Sequence, residues 1–229
     1  MIGTMNILRR LLFVLLVFGL LAFQPTAAQA ENDAKELLVK SEITLGNLIT
    51  NPDYHTLRAL LKDAKGVLIF PSLLKAGFFF GAEGGSGLLL SRNSDGTWGY
   101  PAFFTLGAVS FGLQFGGQDS ETVFVIMTGR GVDSIIGQKV KLGVDVSVAV
   151  GPVGIGASAA TTARLADVYS FSRARGAYAG ASFEGAVIHG RKDLNEKFYG
   201  SRVSATEIVM EKKYSSAEAN KLRTLLVGK

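Results

Sequence analysis

The sequence predicts an α+β protein with a largely antiparallel sheet, curled or barrel-like, preceded by N-terminal helices and followed by a C-terminal helix. Short apolar runs bounded by glycine or proline fill the middle of the chain, which is typical of strands joined by tight turns. Apolar residues recur at helical spacing on both sides of that region. Nothing resembles the regular strand–helix alternation of a parallel α/β fold.

Two helices are predicted before the first strand. The apolar residues of the first fall on one arc of roughly 120° at 100° per residue; they are Ala34, Leu37, Leu38, Leu45, Leu48 and Ile49. Asn51-Pro52-Asp53 ends this helix, and Asp53 can cap a second helix with an apolar face from Tyr54 to Ala64.

Strand-like runs begin at Gly66, Gly77 and Gly87, and glycines inside such runs suggest bulges or bends in a curling sheet. Two polar stretches, Asn93–Gly96 and Gln118–Glu121, have the composition of turns.

Three further patterns lie in the second half of the chain. Alternation over residues 142–151 predicts a strand with four valines, 144, 146, 148 and 150, on one face. A short helix is predicted around Asp193–Tyr199. The pattern Ser215–Glu218 predicts a capping box at the start of a final helix.

The N-terminus has the three parts of a secretory signal. Arg9 and Arg10 precede an apolar run from Leu11 to Phe23, and Ala28-Gln29-Ala30 supplies small residues for cleavage. The run is shorter than the roughly 20 residues that span a bilayer as a helix. We therefore expect residues 1–30 to be a signal peptide and residues 31–229 to be a single domain, exported to the periplasm or cell envelope.

Composition limits the function. Hydrophobic residues make up 48% of the chain and only 5 residues are proline, which is typical of a folded globule. Removal of Arg9 and Arg10, with no acidic residue, lowers the net charge from +5 to +3. That charge favours anionic surfaces but is too small to indicate nucleic acid.

No motif indicates catalysis. Residues 154–159 read G-x-G-x-x-A without the acidic residue and βαβ context of a dinucleotide site. With His55 and His189 as the two histidines and no cysteine, we expect no metal and no cofactor. Glu184 and Asp193 lie near His189 in sequence, but such groups are usually solvated strand-end residues. We therefore expect a protein that is not an enzyme.

A row of cations is the candidate site. Arg58, Lys62 and Lys65 are spaced i, i+4, i+7 beside the apolar face of the second helix, and Lys75 lies just beyond the first predicted strand. Such a helix can rest on an anionic membrane with its lysine stems along the apolar boundary. An amphipathic helix that packs on the sheet with a solvated charged rim would give the same pattern.

Six blocks of sequence follow one another in order: KGVLIFPSLLKAGFFFGAEGGSGLLLSR from Lys65, WGYPAFF from Trp98, SFGLQFGG from Ser110, LGVDVSVAVGPVG from Leu142, YSFSRARGAYAGASFEGAV from Tyr169 and NEKFYG from Asn195. Together they resemble the SYLF domain family of lipid-binding modules. The similarity extends from about Leu37 to Leu226.

The resemblance implies a binding function. Eukaryotic members are associated with phosphoinositide-rich membranes and some fungal members with actin, and their membrane contact is ascribed to a basic amphipathic N-terminal helix. The matching region here is 34–65, where Lys35 and Lys40 are balanced by Glu36 and Glu42. The expected lipid contacts are therefore Arg58, Lys62, Lys65 and Lys75. Anionic phospholipid or another amphiphile is the expected ligand, because an exported protein meets neither actin nor phosphoinositides.

An outer-membrane β-barrel or a structural envelope protein is the alternative. Alternating valines and glycines within strands favour it, whereas continuous apolar runs, terminal helices and the ending Gly228-Lys229 oppose it. Extraction distinguishes the two, because a barrel requires detergent and a bound module leaves the membrane in salt or carbonate.

The exported protein is expected to begin at Glu31, because Ala28 and Ala30 occupy the positions that signal peptidase reads. N-terminal sequencing of protein recovered from the exported fraction measures this. A mature chain that retains Leu11–Phe23 would contradict the prediction.

Overall fold

The computed structural model describes residues 27–77, 80–111, 116–137, 139–151, 166–175 and 183–227. The predicted signal segment up to residue 26 and the G-x-G-x-x-A stretch at 154–159 lie outside the described residues. Within the described ranges, no helix is both long enough and apolar enough to cross a bilayer.

The described residues form helices on both flanks of a sheet. The α-helices are α1 (Ala27–Thr50), α2 (His55–Leu61), α3 (Gly129–Gly137), α4 (Lys192–Tyr199), α5 (Ala205–Val209) and α6 (Asn220–Val227), and short 3-10 turns cover Pro52–Tyr54 and Ala217–Ala219. The helices predicted at 34–49 and 193–199 are confirmed.

Within the described residues, eight strands form one curled sheet. They are β1 (Gly66–Gly77), β2 (Phe80–Ser91), β3 (Ala102–Phe111), β4 (Gly116–Ile126), β5 (Val140–Lys141), β6 (Val148–Val150), β7 (Val168–Arg175) and β8 (Val187–Gly190). Their order is β5-β8-β3-β2-β1-β4-β7-β6, and every neighbouring pair is antiparallel except β6 with β7. The prediction of a largely antiparallel, curled sheet with flanking helices is confirmed.

The sheet is covered on both faces. On one face, here the α1 side, helices α1, α2, α4 and α6 pack on alternate residues such as Val67, Ile69 and Val123. On the other, the α3 side, α3 and α5 pack on the residues between them, such as Leu68 and Phe124. Strands buried on both faces have continuous apolar runs because neither face meets water, which explains the runs beginning at Gly66 and Gly87.

Pro71 lies at an irregular point in the pairing of β1. The pairing of β1 shifts register on both sides, between Ile69 and Leu74 against β2 and between Phe70 and Leu73 against β4. A Cβ at Gly85 would lie 2.1 Å from the Ser72 carbonyl oxygen. Glycine is therefore required where β2 passes the bulge, in agreement with the expectation that strand glycines mark bends.

The turn predicted at Gln118–Glu121 is wrong, because these residues lie inside β4. Their polar groups have cross-strand partners: Asp119 Oδ1 accepts a 2.7 Å bond from Ser72, and the buried Glu121 accepts a 2.7 Å bond from Arg173 Nε. Polar side chains that are hydrogen-bonded in this way are tolerated within a strand. The polar composition of this stretch was therefore not sufficient to predict a turn. The other predicted turn, Asn93–Gly96, is confirmed, with Gly96 at φ +85°.

The single strand predicted over residues 142–151 is also wrong. Gly143, at φ +80°, opens a turn that the Asp145 carboxylate closes by accepting a 2.7 Å bond from the Lys141 amide. Val146 is buried, whereas Val144 and Val150 are 69% and 66% exposed. The valines therefore do not share one face, because Val144 lies within this turn whereas Val148 and Val150 lie in β6.

The capping box predicted at Ser215–Glu218 is misplaced. Ser216 makes no side-chain cap to the turn that follows it. The reciprocal bonds of a capping box are instead formed by Ser204 and Glu207 at the start of α5. Both segments carry Ser-x-x-Glu, so the local pattern did not distinguish them.

Asp167 joins three segments on the way into β7. Its buried carboxylate accepts bonds from Thr128 at 2.7 Å, Arg130 at 2.9 Å and the Ser147 hydroxyl at 2.8 Å. Burial alone would raise the pKa of Asp167, but these hydrogen bonds outweigh it and hold the pKa well below its usual range. The ionised carboxylate therefore fixes the start of α3 and the residue before β6 against β7.

Asp167→Asn is expected to lower the free energy of unfolding at pH 7 by about 2–4 kcal/mol, because it removes a charged, buried acceptor. The native pKa lies below the unfolded value of about 3.9, so this stabilisation is present above that pH and is lost as the pH falls. The difference between variant and parent should therefore shrink below about pH 4. Urea unfolding at several pH values measures it, with the exposed Asp133→Asn as control.

Candidate functional site

Arg58 stabilises the corner between α1 and α2. Its half-buried guanidinium donates through Nη1 to the carbonyl oxygens of Ile49, at 3.0 Å, and Asn51, at 2.8 Å. The last carbonyls of a helix have no intrahelical partner, and Arg58 supplies one at the end of α1. This contact contradicts the picture of Arg58 as a solvated member of a lipid-facing row.

Lys62 and Lys65 are both exposed, but they do not share a helical face. Helix α2 ends at Leu61, earlier than the predicted Ala64, and the Lys62 amide bonds back to Ala59 at 3.3 Å. Lys65 follows in the turn that leads into β1. In the described part of the chain neither ammonium group forms an ion pair, and the exposed Asp63 lies between them in sequence.

Arg92 holds this turn in place, although no pattern in the sequence indicates that role. Its Nε donates to Ala64 O at 3.0 Å and its Nη2 to Leu61 O at 2.8 Å, while the guanidinium lies 4.6 Å from the ring centre of Trp98. The Lys65 carbonyl also accepts a 2.8 Å bond from the Arg92 amide. The two lysines therefore project from a fixed backbone. The sequence around Arg92 did not by itself indicate this role.

Lys75 lies far from the other three cations. It is inside β1, not beyond it, ten residues after Lys65, so roughly 30 Å of strand separates the two at about 3.3 Å per residue. Lys75 pairs in register with Glu83. Burial raises the pKa of Glu83, and the positive charge of Lys75 partly opposes the rise. The four predicted lipid-binding cations therefore do not form one contact surface.

Glu184, His189 and Asp193 do not form an acid–base group. Asp193 is bound by Arg191 at 2.8 and 2.6 Å, and this hydrogen bonding lowers the pKa of Asp193. Glu184 lies in the turn before β8, and His189 is exposed on that strand. Among the residues that the structure describes, no group of three or more His, Cys, Asp or Glu side chains is arranged to hold a metal ion.

A polar cleft of about 270 Å³ opens between α1 and the start of α4. Its lining residues are Asp33, Glu36, Leu37, Lys40, Ser86, Arg191 and Leu194. Lys40 is paired with Glu36 at 2.6 Å, and Arg191 donates to the Ser86 hydroxyl at 3.0 Å. Two acids and two cations line the cleft, so its charge does not select an anion.

Comparison with known proteins matches residues 107–228, more than half of the chain, to the Ysc84 family, described as "Las17-binding protein actin regulator". LAS seventeen-binding protein 3 of Saccharomyces cerevisiae is 38% identical over 154 residues, which are 66% of this chain and 33% of the yeast protein. SH3 domain-containing YSC84-like protein 1 of Homo sapiens is 33% identical over 201 residues, 87% of this chain and 58% of the human protein. The matched part of the chain thus corresponds to about a third of the length of the yeast protein and to somewhat over half of the length of the human protein.

Arg58→Ala is expected to lower the free energy of unfolding by about 1–3 kcal/mol, because two carbonyl groups lose a charged donor. Lys62→Ala should change it by less than about 0.5 kcal/mol, as for other solvated surface residues. Urea unfolding of both variants measures the difference. Equal effects would contradict the distinction between a structural arginine and an exposed lysine.

Proposed function

The chain belongs to the Ysc84, or SYLF, domain family, and from that premise we propose that it is an exported, non-enzymatic module that binds lipid membranes. The family is characterised by binding and regulation, as Las17-binding actin regulators. Because the predicted signal peptide would separate this chain from actin, we assign it the binding role of the family with anionic phospholipid, or another amphiphile, as ligand. Family membership is the observation that carries the proposal.

Lys62 and Lys65 are the proposed electrostatic contact. Both ammonium groups are exposed, and Arg92 fixes the turn that presents them. A lysine near an anionic bilayer contributes about 1 kcal/mol, and salt screens this attraction at distances beyond a Debye length of about 8 Å at physiological ionic strength. Arg58 supports this region through the end of α1, and Lys75 is too distant to add to the same contact.

Lys62→Glu combined with Lys65→Glu is expected to reduce flotation with vesicles of phosphatidylglycerol and phosphatidylcholine by at least about tenfold at 0.1 M salt. Binding of the parent should fall as salt rises, because surface charges are screened. Lys139→Glu with Lys141→Glu is the charge-matched control, since these exposed lysines lie at the edge strand β5.

Circular dichroism must show that each variant is folded. A folded Lys62/Lys65 variant that floats like the parent would refute the lysine contact and leave membrane binding intact. Failure of the parent to bind vesicles of any composition would refute the proposed function itself.

A further inference from the structure

The ends of three central strands are uncovered on the α1 side of the sheet. Leu74 in β1 and Val109 in β3 are 62% and 79% exposed, and Ala76 and Ala82 are exposed as well. These four side chains are here named the strand-end surface. Strands β1 and β3 are otherwise buried on this side, at Val67, Ile69 and Phe103.

The register of the strands makes this surface continuous. Ala76 lies opposite Ala82, which lies opposite Val109, and Leu74 lies opposite Gly84. Residues directly opposite in antiparallel strands point to the same face. Gly107, opposite Gly84, has open space where a Cβ would stand, so no side chain interrupts the surface there.

Charged groups are absent from the strand-end surface itself. Lys75 and Glu83 alternate with its residues and therefore point to the α3 side. Asp119 faces the same side as Leu74, its register partner, but its carboxylate accepts a hydrogen bond from Ser72. The strand-end surface is therefore apolar, and few polar groups would lose their hydration if it contacted hydrocarbon.

The sequence that joins these strands favours a bilayer as the occupant. No ionisable residue occurs from Ala76 to Ala82 or from Val109 to Gln118. Turns that face water are typically rich in Asn, Asp and Gly, whereas these two stretches of sequence carry six large apolar residues: Phe78, Phe79, Phe80, Phe111, Leu113 and Phe115. Both connections leave the sheet at the same end, because Gly77 at the end of β1 pairs with Gly116 at the start of β4, and Phe80 at the start of β2 pairs with Phe111 at the end of β3.

We propose that the strand-end surface enters the boundary between headgroups and acyl chains and anchors the protein to the membrane. Apolar faces of peripheral proteins enter that boundary by about 5–10 Å. The inference rests on the proposed membrane binding and adds a second contact, at the opposite end of β1 from Lys62 and Lys65. The membrane would run along the α1 side, where Val39 and Ile43 are also exposed, at 51% and 54%.

Single-cysteine probes test the anchor directly, because the chain contains no cysteine. Leu74→Cys and Val109→Cys, labelled with the environment-sensitive dye NBD, should show a blue shift with anionic vesicles and quenching by bromine-labelled acyl chains. Val144→Cys and Met210→Cys are the controls, since both residues are exposed next to segments that pack on the α3 side. These two labels should not respond.

The possible outcomes separate the two proposals. If the labelled proteins float with vesicles but the Leu74 and Val109 probes do not shift, the anchor is refuted and membrane binding stands. A blue shift without vesicles that grows with protein concentration would indicate self-association through this surface, and would also refute the anchor. If the unlabelled parent binds no vesicles, both proposals fail.

A charge variant gives an independent measurement. Leu74→Asp with Val109→Asp should lower partitioning into anionic vesicles by at least about tenfold, because two apolar side chains no longer enter the membrane. The loss should persist at high salt, unlike the loss caused by reversing Lys62 and Lys65. Val144→Asp with Met210→Asp is the matched control and should stay within about twofold of the parent. Equal losses in both pairs would refute a specific anchor.

Discussion

Burial of the central strands on both faces is the constraint on which the rest of the structure depends. Val67–Phe70 in β1 and Val123–Ile126 in β4 have no exposed surface at all. A sheet with two apolar faces requires cover on each side. Helices α1, α2, α4 and α6 cover one face, and α3 and α5 cover the other. The strand-end surface of β1, β2 and β3 is therefore an exception, because helices cover the rest of these strands.

The cations divide by chemistry into structural and exposed groups. Arg58 and Arg92 donate to backbone carbonyls at the ends of α1 and α2, and Arg223 in α6 donates to the carbonyl oxygen of Trp98. A planar guanidinium offers several donors in fixed directions, whereas a lysine ammonium is a compact, strongly hydrated charge. The arginines are therefore suited to holding the fold together, whereas lysines such as Lys62 and Lys65 are exposed to solvent. A row of basic residues in the sequence contained both groups without distinguishing them.

Buried acidic side chains inside the sheet are also paired with hydrogen-bond donors. Glu121 meets Arg173 across β4 and β7, and Asp167 collects donors from three segments. Each carboxylate is tolerated in the interior because it is hydrogen-bonded, and its partners come from other strands or loops. Such partners are separated by 20 to 52 residues in the chain, which places them beyond any local pattern. The turn expected at Gln118–Glu121 was wrong for this reason.

The sequence by itself determined the class of fold, the apolar arc of α1 from Ala34 to Ile49 and the buried runs of β1 and β2. These features depend on the period of the apolar residues, which the chain carries locally. Only the tertiary structure decided which cations are exposed to solvent. It also decided that β4 continues through polar residues and which strand ends no helix covers. Arg58 became a helix cap, and Lys65 and Lys75 were placed at opposite ends of one strand. Those outcomes depend on contacts between residues distant in sequence, because burial and pairing are properties of the assembled sheet and its covering helices.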